Sequence, residues 1–269
     1  MDKKGSGFLS ISVKYLRHRL LARYRNGHGV HSPFVYDLVR NVLFNKYGWK
    51  VPGRLQSHHR ELRNNDTLLQ IHDPGAGSRV TGSQERKVAS IARRSSVTRR
   101  QGALLYRLAK WYHPAAVIEA GTGIGISTSF LAAGAVNAGV TTIEGSPAKY
   151  HFAREHTDVA GSGGLEFLLG TFDEYFDERV EKAPNRTLFF IDGDHRYLPT
   201  LQRARSILDQ DAFAETMVIL DDIYWSDEME RAWKEICAGP GVDISLDLFH
   251  MGILIRRPGL SRQHFRITF

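Results

Sequence analysis

Three acidic residues and one histidine stand where the chain could assemble acid–base or metal chemistry. Asp192 ends one short apolar run and His195 follows three residues later, while Asp221 and Asp222 end a second apolar run. If the two runs are neighbouring strands of a parallel sheet, the three carboxylates converge and repel one another unless a cation lies among them. Their oxygen atoms suit Mg²⁺ or another divalent cation, which makes Asp192, Asp221 and Asp222 predicted metal ligands. The simpler alternative is that each group caps a turn or faces solvent.

A glycine-rich segment is the second candidate site. Gly121, Gly123 and Gly125 follow another apolar run and precede a helical pattern. The G-x-G-x-G spacing differs from the G-x-G-x-x-G of dinucleotide sites, and Glu119 just before it favours a cationic ligand over a pyrophosphate. Glu144 ends the next apolar run, where a carboxylate can accept both hydroxyls of a ribose. These features predict adenosine binding, with a plain strand–helix turn as the alternative.

Alternating strand and helix patterns position both candidate sites. Five apolar runs are predicted strands, at 116–120, 140–144, 165–169, 187–192 and 216–222, and helical patterns cover 127–138, 147–156, 198–208 and 227–237. Two late strands, 244–249 and 252–256, are separated by two residues and should pair antiparallel. The alternation predicts an α/β fold: a doubly wound, mostly parallel seven-stranded sheet with an antiparallel last strand. Ligands bind such sheets at the carboxyl ends of the strands.

The first third of the chain predicts a different, largely helical part. Residues 11–24 form an amphipathic helix, whose apolar residues Tyr15, Leu16, Leu20 and Tyr24 are expected to pack on their own domain. Lying on a membrane is the less common alternative for such a basic helix. Further helices are predicted over 34–44 and 88–111, a loop over 48–66, and a turn at 73–78 that either covers the site as a lid or connects elements.

Charge divides the 269 residues unevenly. Residues 1–110 contain 22 Lys/Arg and 6 Asp/Glu, and residues 111–269 contain 14 and 23. A basic extension that neutralises the acidic part is the favoured interpretation, and a contact with nucleic acid or an anionic membrane is the alternative. The apolar runs are too short to span a membrane. One cysteine, Cys237, excludes an intramolecular disulfide, and the first residues lack a secretion signal, so we expect a cytoplasmic protein.

The glycine-rich segment carries a resemblance to a known family. Residues 117–128, V-I-E-A-G-T-G-I-G-I-S-T, resemble the first motif of class I S-adenosylmethionine-dependent methyltransferases, and the similarity extends over about 95–257. It implies a Rossmann-like fold and a cofactor site lined by Glu119, Gly121, Thr122, Gly123, Gly125, Ser96, Val97 and Asp192, with Glu144 on the ribose. It also implies two parts: 1–94 as a helical or loop extension that caps the substrate or acts as a lid, and 95–269 as the S-adenosylmethionine-binding domain.

The second pair of motifs resembles a narrower group. F-I-D-G-D-H at 190–195 and I-L-D-D at 219–222 resemble the metal-assisted O-methyltransferases of the catechol, caffeoyl-coenzyme A and macrolide-sugar kinds. The resemblance implies that Asp192 and the 221–222 pair bind the metal and that Asp192 and His195 are catalytic, with His195 as the general base. Catechol-type enzymes often have Asp-Asn where this chain has Asp-Asp, which adds negative charge to the predicted metal site.

The sequence therefore predicts methylation of a hydroxyl of a small molecule, with S-adenosylmethionine as methyl donor and Mg²⁺ or another divalent cation assisting. Two alternatives stay open: an RNA methyltransferase that holds RNA with its basic first third, and a non-catalytic nucleotide-binding or scaffold protein. The identity of the acceptor is not encoded in a readable motif. The oligomeric state is also open, with a homodimer among the options.

Overall fold

The computed structural model describes residues 4–23, 29–45, 48–71, 84–158, 164–210 and 213–269. The helices in these ranges are α1 (Lys4–Leu21), α2 (Pro33–Asp37), α3 (Gly53–Leu62), α4 (Val88–Arg94), α5 (Arg99–Tyr112), α6 (Ile126–Gly134), α7 (Pro147–His156), α8 (Phe172–Glu181), α9 (Tyr197–Leu208) and α10 (Asp227–Ala238). A π-helix, Leu38–Leu43, continues α2. The strands are β1 (Leu68–Ile71), β2 (Gln84–Lys87), β3 (Ala116–Ala120), β4 (Gly139–Glu144), β5 (Leu165–Leu169), β6 (Thr187–Ile191), β7 (Thr216–Asp221), β8 (Ile244–Asp247), β9 (Met251–Arg256) and β10 (Gln263–Arg266).

The chain divides into two compact units that are not continuous in sequence. The terminal unit combines Met1–Lys46 with Asp194–Phe269, and the central unit is Tyr47–Gly193. None of the helices in the described ranges is both long enough and apolar enough to cross a bilayer. The predicted boundary between residues 94 and 95 stays a prediction.

The central unit contains four parallel strands in the order β6-β3-β4-β5. The residues of β6 are all buried, and so are four of the five in β3, because apolar side chains leave both faces of these strands. Such near-continuous apolar runs are typical of parallel strands covered by helices on both sides. The mostly parallel α/β fold that the sequence predicts is therefore confirmed. An antiparallel hairpin of β1 and β2 also lies in this unit and was not predicted.

The terminal unit contains four strands in the order β10-β8-β9-β7. Strand β9 pairs antiparallel with both β7 and β8, which confirms the predicted pairing of the two late strands. Strand β10 pairs parallel with β8 and was not predicted. Its sequence, Q-H-F-R, buries only Phe265 and so carries little apolar signal. Besides the β1–β2 hairpin, the described strands number eight, so the predicted seven is too few.

Several helix predictions need correction. Residues 48–66 are not a loop: they contain α3, whose buried residues Leu55, His59 and Leu62 recur at helical spacing within a polar sequence. The helix predicted over 88–111 is two helices, because Thr98 caps the start of α5 in a reciprocal capping box with Gln101. Helix α8 was not predicted. The predicted turn at 73–78 and residue 24 lie outside the described residues.

Helix α1 (Lys4–Leu21) confirms a helix over most of the predicted 11–24, but not the apolar face that was expected to be buried. His18 is the buried residue, and its Nε2 atom lies 3.0 Å from Asp247 Oδ1. Leu16 and Leu20 are exposed, so the expectation that they pack on their own domain is wrong. The inner face of this helix is attached by polar and charged contacts of His18 and Lys14 and by ring contacts of Tyr15 and His18 with Phe249.

Candidate functional site

The glycine-rich turn of the central unit follows β3 and leads into α6. The N–H groups of Gly121 and Thr122 donate to the Ile143 carbonyl, at 3.0 and 3.2 Å, and so fasten the turn to β4. Gly121, Gly123 and Gly125 have positive φ angles of 106°, 57° and 84°. Glycine adopts such angles without the steric cost that other residues meet. The pattern of three glycines therefore encodes the backbone path of the turn.

The space around each glycine shows whether that position is needed for close packing of the chain or could admit a ligand. A Cβ atom on Gly121 would lie 1.8 Å from the Asp192 carbonyl oxygen, and one on Gly125 would lie 2.1 Å from Thr157 Oγ1. A Cβ atom on Gly123 would meet no atom within 4 Å. Gly121 and Gly125 thus allow the chain to pack against itself, whereas Gly123 borders open space that a ligand could enter. The structure also places the predicted site residue Asp192 against the turn.

Glu144 ties the end of β4 to the same turn. Its Oε2 accepts from the Gly123 N–H at 2.8 Å, and its Oε1 accepts from the Ser146 N–H at 2.9 Å. The side chain is buried. A carboxylate accepts several hydrogen bonds at once, and hydroxyl groups are among the donors that it binds. The geometry brings together Glu144 and Gly123, two of the residues that the sequence predicts at the adenosine site.

Glu119 lies inside the protein rather than on the surface of the turn. It is fully buried, and its Oε2 accepts from Thr128 Oγ1 at 2.5 Å and from Thr142 Oγ1 at 2.7 Å. Its Oε1 is buried without a hydrogen-bond partner among the described residues. Burial raises the pKa of Glu119 to about 7, repulsion from Asp192 adds to the shift, and the hydroxyl hydrogen bonds oppose it. The unpartnered oxygen is an acceptor that a cationic group or a water molecule could use.

Glu119 should make the stability of the protein depend on pH. Because its pKa is raised from 4.5 to about 7, the unfolded chain loses this proton first, and the free energy of unfolding falls as pH rises between these values. The free energy of unfolding of Glu119→Gln, taken relative to that of the parent chain, should rise by about 2–3 kcal/mol when the pH is raised from 5 to 8. Urea denaturation at both pH values measures this, with Glu155→Gln as the exposed control. Parallel pH profiles for the parent and Glu119→Gln would contradict it.

Ser96 and Val97 have local partners in the structure. Ser96 Oγ donates to the Ile91 carbonyl at 3.4 Å, and the Val97 carbonyl lies 3.4 Å from Nε2 of the buried His59. The predicted contact of Ser96 and Val97 with the methionine portion of the cofactor stays a prediction. His59 itself was missed, although its spacing from Leu55 and Leu62 is a helical signal.

The terminal unit contains His195, the predicted general base, together with Asp222 and Asp194. Burial lowers the pKa of His195 below its ordinary value of 6.5, and the charges of Asp222 and Asp194 oppose that shift. Burial raises the pKa of Asp222, which the charges of His195 and His250 oppose. A histidine with a lowered pKa is neutral near pH 7, so a ring nitrogen is free to accept a proton. The structure therefore gives the predicted base an acidic neighbour, Asp222.

His250 is a member of this group that sequence reasoning missed. Asp222 has a φ angle of 51°, and its N–H donates to the His250 carbonyl at 2.6 Å. Burial also lowers the pKa of His250, and Asp222 opposes that shift. The contact joins residues 28 positions apart through the pairing of β7 with β9. A local motif cannot show it, although the predicted antiparallel strands pointed to the region.

Asp194 fixes the backbone before His195. Its carboxylate accepts from Arg196 Nε at 2.5 Å and Arg196 Nη2 at 2.9 Å, and from Arg203 Nη2 at 3.3 Å. Burial would raise the pKa of Asp194, but the two arginines outweigh that effect and hold it below its ordinary value. Asp194 is therefore ionised, and it anchors the start of α9 next to the candidate base.

Metal binding was predicted for Asp192 of the central unit and for Asp221 and Asp222 of the terminal unit. Within them, no group of three or more His, Cys, Asp or Glu side chains is placed to hold a metal ion. Asp221 is buried at the end of β7, and Asp222 follows it in a left-handed conformation. The metal role of Asp192, Asp221 and Asp222 stays a prediction that this geometry does not support.

Known proteins share the fold and part of the sequence. Residues 118–223 match the family model described as a methyltransferase domain. A methyltransferase of Podospora anserina with bound S-adenosylhomocysteine is 18% identical with a TM-score of 0.58, over 85% of this chain and 99% of that one. An O-methyltransferase of Bacillus cereus in complex with S-adenosylhomocysteine is 19% identical with a TM-score of 0.53, over 82% and 96%.

A third similar structure is an O-methyltransferase of Streptomyces achromogenes involved in tomaymycin synthesis, in complex with S-adenosylmethionine. It is 17% identical with a TM-score of 0.54, over 81% of this chain and 96% of that one. At these identities the structures establish a common fold, the Rossmann-like fold that the sequence predicts. No curated protein sequence is similar enough to this chain to count as a relative.

Proposed function

We propose that this chain, which carries a methyltransferase domain over residues 118–223, transfers a methyl group from S-adenosylmethionine to a hydroxyl of a small molecule. The observation that carries the proposal is the link between Glu144 and the Gly123 N–H, at 2.8 Å, beside open space at Gly123. The O-methyltransferases with which the chain shares its fold hold S-adenosylmethionine or its product. That likeness supports the choice of cofactor.

The central unit supplies the residues that would hold the cofactor. Glu144 would offer its carboxylate to the ribose hydroxyls, and Gly123 leaves room for close approach of a ligand to the backbone. The unpartnered Oε1 of Glu119 is buried, so a positive amino group of the cofactor would reach it only if the turn opened locally. A cationic neighbour would favour the ionised form of this carboxyl and would lower its raised pKa.

The terminal unit supplies the acid–base group. S-adenosylmethionine carries an electrophilic methyl group on its sulfonium sulfur. A ring nitrogen of His195 removes the proton of the acceptor hydroxyl as the oxygen forms its bond to that methyl carbon, and the carbon–sulfur bond breaks to leave a neutral thioether. Asp222 stabilises the imidazolium that results, because its charge favours the protonated form of His195. Asp194, held by two arginines, keeps the backbone of His195 in place.

The sequence additionally predicts that Mg²⁺ or another divalent cation assists the methyl transfer. Because the described residues contain no group placed to hold a metal ion, no step of the proposed reaction depends on one. Excess EDTA decides the question in the methyl-transfer assay. Retained activity would mean that His195 and Asp222 suffice, whereas activity lost to EDTA and restored by Mg²⁺ would favour the ligand set Asp192, Asp221 and Asp222.

RNA as the acceptor is the second candidate function, and ion pairs with acidic residues already occupy some of the basic side chains that would hold RNA. Lys14 contacts Asp227 at 2.6 Å and Glu230 at 2.9 Å, and Arg54 contacts Asp158 at 2.8 Å. Two basic side chains of the first third thus pair with acidic residues of the later part, as the favoured interpretation of the charge asymmetry predicts.

A transfer assay tests the proposed function. The chain is incubated with methyl-tritiated S-adenosylmethionine and, in parallel, with a panel of phenols, sugars and total RNA. We expect label in at least one hydroxyl compound, with S-adenosylhomocysteine formed in equal amount, and no label in RNA. Label in RNA alone, or binding of the cofactor without transfer to any acceptor, would contradict the proposal and favour the RNA or the non-catalytic alternative.

A further inference from the structure

Helix α1 is attached to the terminal unit by one face. His18 Nε2 lies 3.0 Å from Asp247 Oδ1, and the fully buried Asp247 also accepts from Tyr224 Oη at 2.8 Å. Lys14 forms ion pairs with Asp227 and Glu230 of α10. The ring of Tyr15 packs edge-on against that of Phe249, with 5.0 Å between their centroids. These contacts hold α1 in one orientation.

The opposite face of α1 is apolar and exposed. Val13, Leu16 and Leu20 are 65%, 60% and 77% exposed, and their spacing of three and four residues places them on one stripe. We call these three residues the outer face of α1. Since the inner face already packs on the terminal unit, rotation of the helix to bury the outer face would break the contact between His18 and Asp247.

Arginines adjoin the outer face, and no acid accompanies them. Within the helix, Arg19 follows Leu16 by three residues and Arg17 precedes Leu20 by three, and Arg23 lies two residues beyond the end of α1. Helix α1 contains no acidic residue, and in the described ranges neither Arg17 nor Arg23 forms an ion pair. The exposed surface therefore combines an apolar stripe with a positive border.

We propose that the outer face of α1 docks on an anionic lipid bilayer. An apolar stripe inserts at the boundary of headgroups and acyl chains, while bordering arginines keep their charges among the headgroups. A second copy of this chain fits less well, because a symmetric contact through α1 would place arginines against arginines. The charge of the helix thus selects an anionic surface, and its apolar stripe selects lipid.

Vesicle co-sedimentation of the whole chain tests this docking. We expect the parent chain to bind phosphatidylglycerol-containing phosphatidylcholine vesicles, and to bind pure phosphatidylcholine vesicles at least about tenfold more weakly. Leu16→Ala/Leu20→Ala should weaken binding to the anionic vesicles at least about tenfold, because each change removes apolar carbon atoms that the bound helix would bury in the bilayer. Alanine keeps the helix, and circular dichroism verifies this.

The controls separate docking from a general loss of structure. Leu198→Ala removes an exposed leucine from α9 in the same unit and should bind vesicles like the parent chain. Arg17→Glu/Arg23→Glu should lose binding to anionic vesicles. Equal binding by Leu16→Ala/Leu20→Ala and the parent would overturn the proposal, and so would a parent chain that ignores vesicles. A dimer that dissociates in the double leucine variant, without vesicle binding, would instead identify a second copy as the occupant.

Discussion

Replacement of His195 by alanine is expected to lower kcat by about 10²–10⁴-fold, the range for loss of a general base. The affinity for S-adenosylmethionine should change by less than about twofold, because the proposed role of His195 is to take the proton of the acceptor hydroxyl, whereas Glu144 and the glycine-rich turn are proposed to hold the cofactor. Single-turnover transfer measures the first quantity and calorimetric titration the second.

The expected loss of kcat follows from the environment of His195. Burial keeps the ring neutral at pH 7, and Asp222 lies close enough to stabilise the protonated ring once the proton arrives. A hydroxyl without a base would have to lose its proton to water at the moment of attack, which raises the barrier.

Two additional measurements distinguish a base from a structural residue. Added imidazole should restore part of the rate of His195→Ala, since a small base can enter the vacated space. His151→Ala, which removes an exposed histidine from α7, should transfer methyl groups at the parent rate. A kcat for His195→Ala within about twofold of the parent value would show that the base is elsewhere.

Gly121→Ala is expected to be the most damaging change in the glycine-rich turn. The new Cβ would lie 1.8 Å from the Asp192 carbonyl oxygen, and the φ angle of 106° is one that alanine adopts only with strain. Because neither backbone can move without breaking the bonds between strands, we expect the free energy of unfolding to fall by more than about 4 kcal/mol. The affinity for S-adenosylhomocysteine should fall at least tenfold in whatever fraction stays folded. Urea denaturation and calorimetry measure the two effects.

Gly123→Ala is the matched control. It has a φ angle of 57° and meets no atom within 4 Å, so only the left-handed conformation costs it free energy, about 1–2 kcal/mol. Equal destabilisation by the two variants would mean that the contact between Gly121 and Asp192 is not what fixes the turn.

Much of the fold could be predicted from the sequence because most strands of the sheet correspond to short, clearly bounded apolar runs. Strand β3 and helix α7 begin and end where the pattern places them, since a short apolar run and a proline-started helix are defined within their own residues. Helix α3 and strand β10 could not be predicted in this way. Their few buried residues acquire their importance from partners distant in the chain.

In the candidate site, too, some contacts could be predicted from neighbouring residues, whereas others depend on residues distant in the chain. The bond between Glu144 and the glycine turn follows from the order of strand, turn and acid, which the sequence displays. The interior position of Glu119 depends on Thr128 and Thr142, and the proximity of His250 to Asp222 depends on strand pairing. Neither is visible in a motif. The orientation of α1 likewise depends on His18 meeting Asp247, 229 positions away.

Titration calorimetry with S-adenosylhomocysteine tests most directly whether Glu144 and the glycine-rich turn hold an adenosyl cofactor. We expect saturable binding at one site per chain, weakened at least about tenfold by Glu144→Ala and unchanged by Glu155→Gln, because two or more hydrogen bonds to a buried carboxylate are lost only in the first. Absence of binding to the folded parent chain, or equal affinity of Glu144→Ala and the parent, would contradict it.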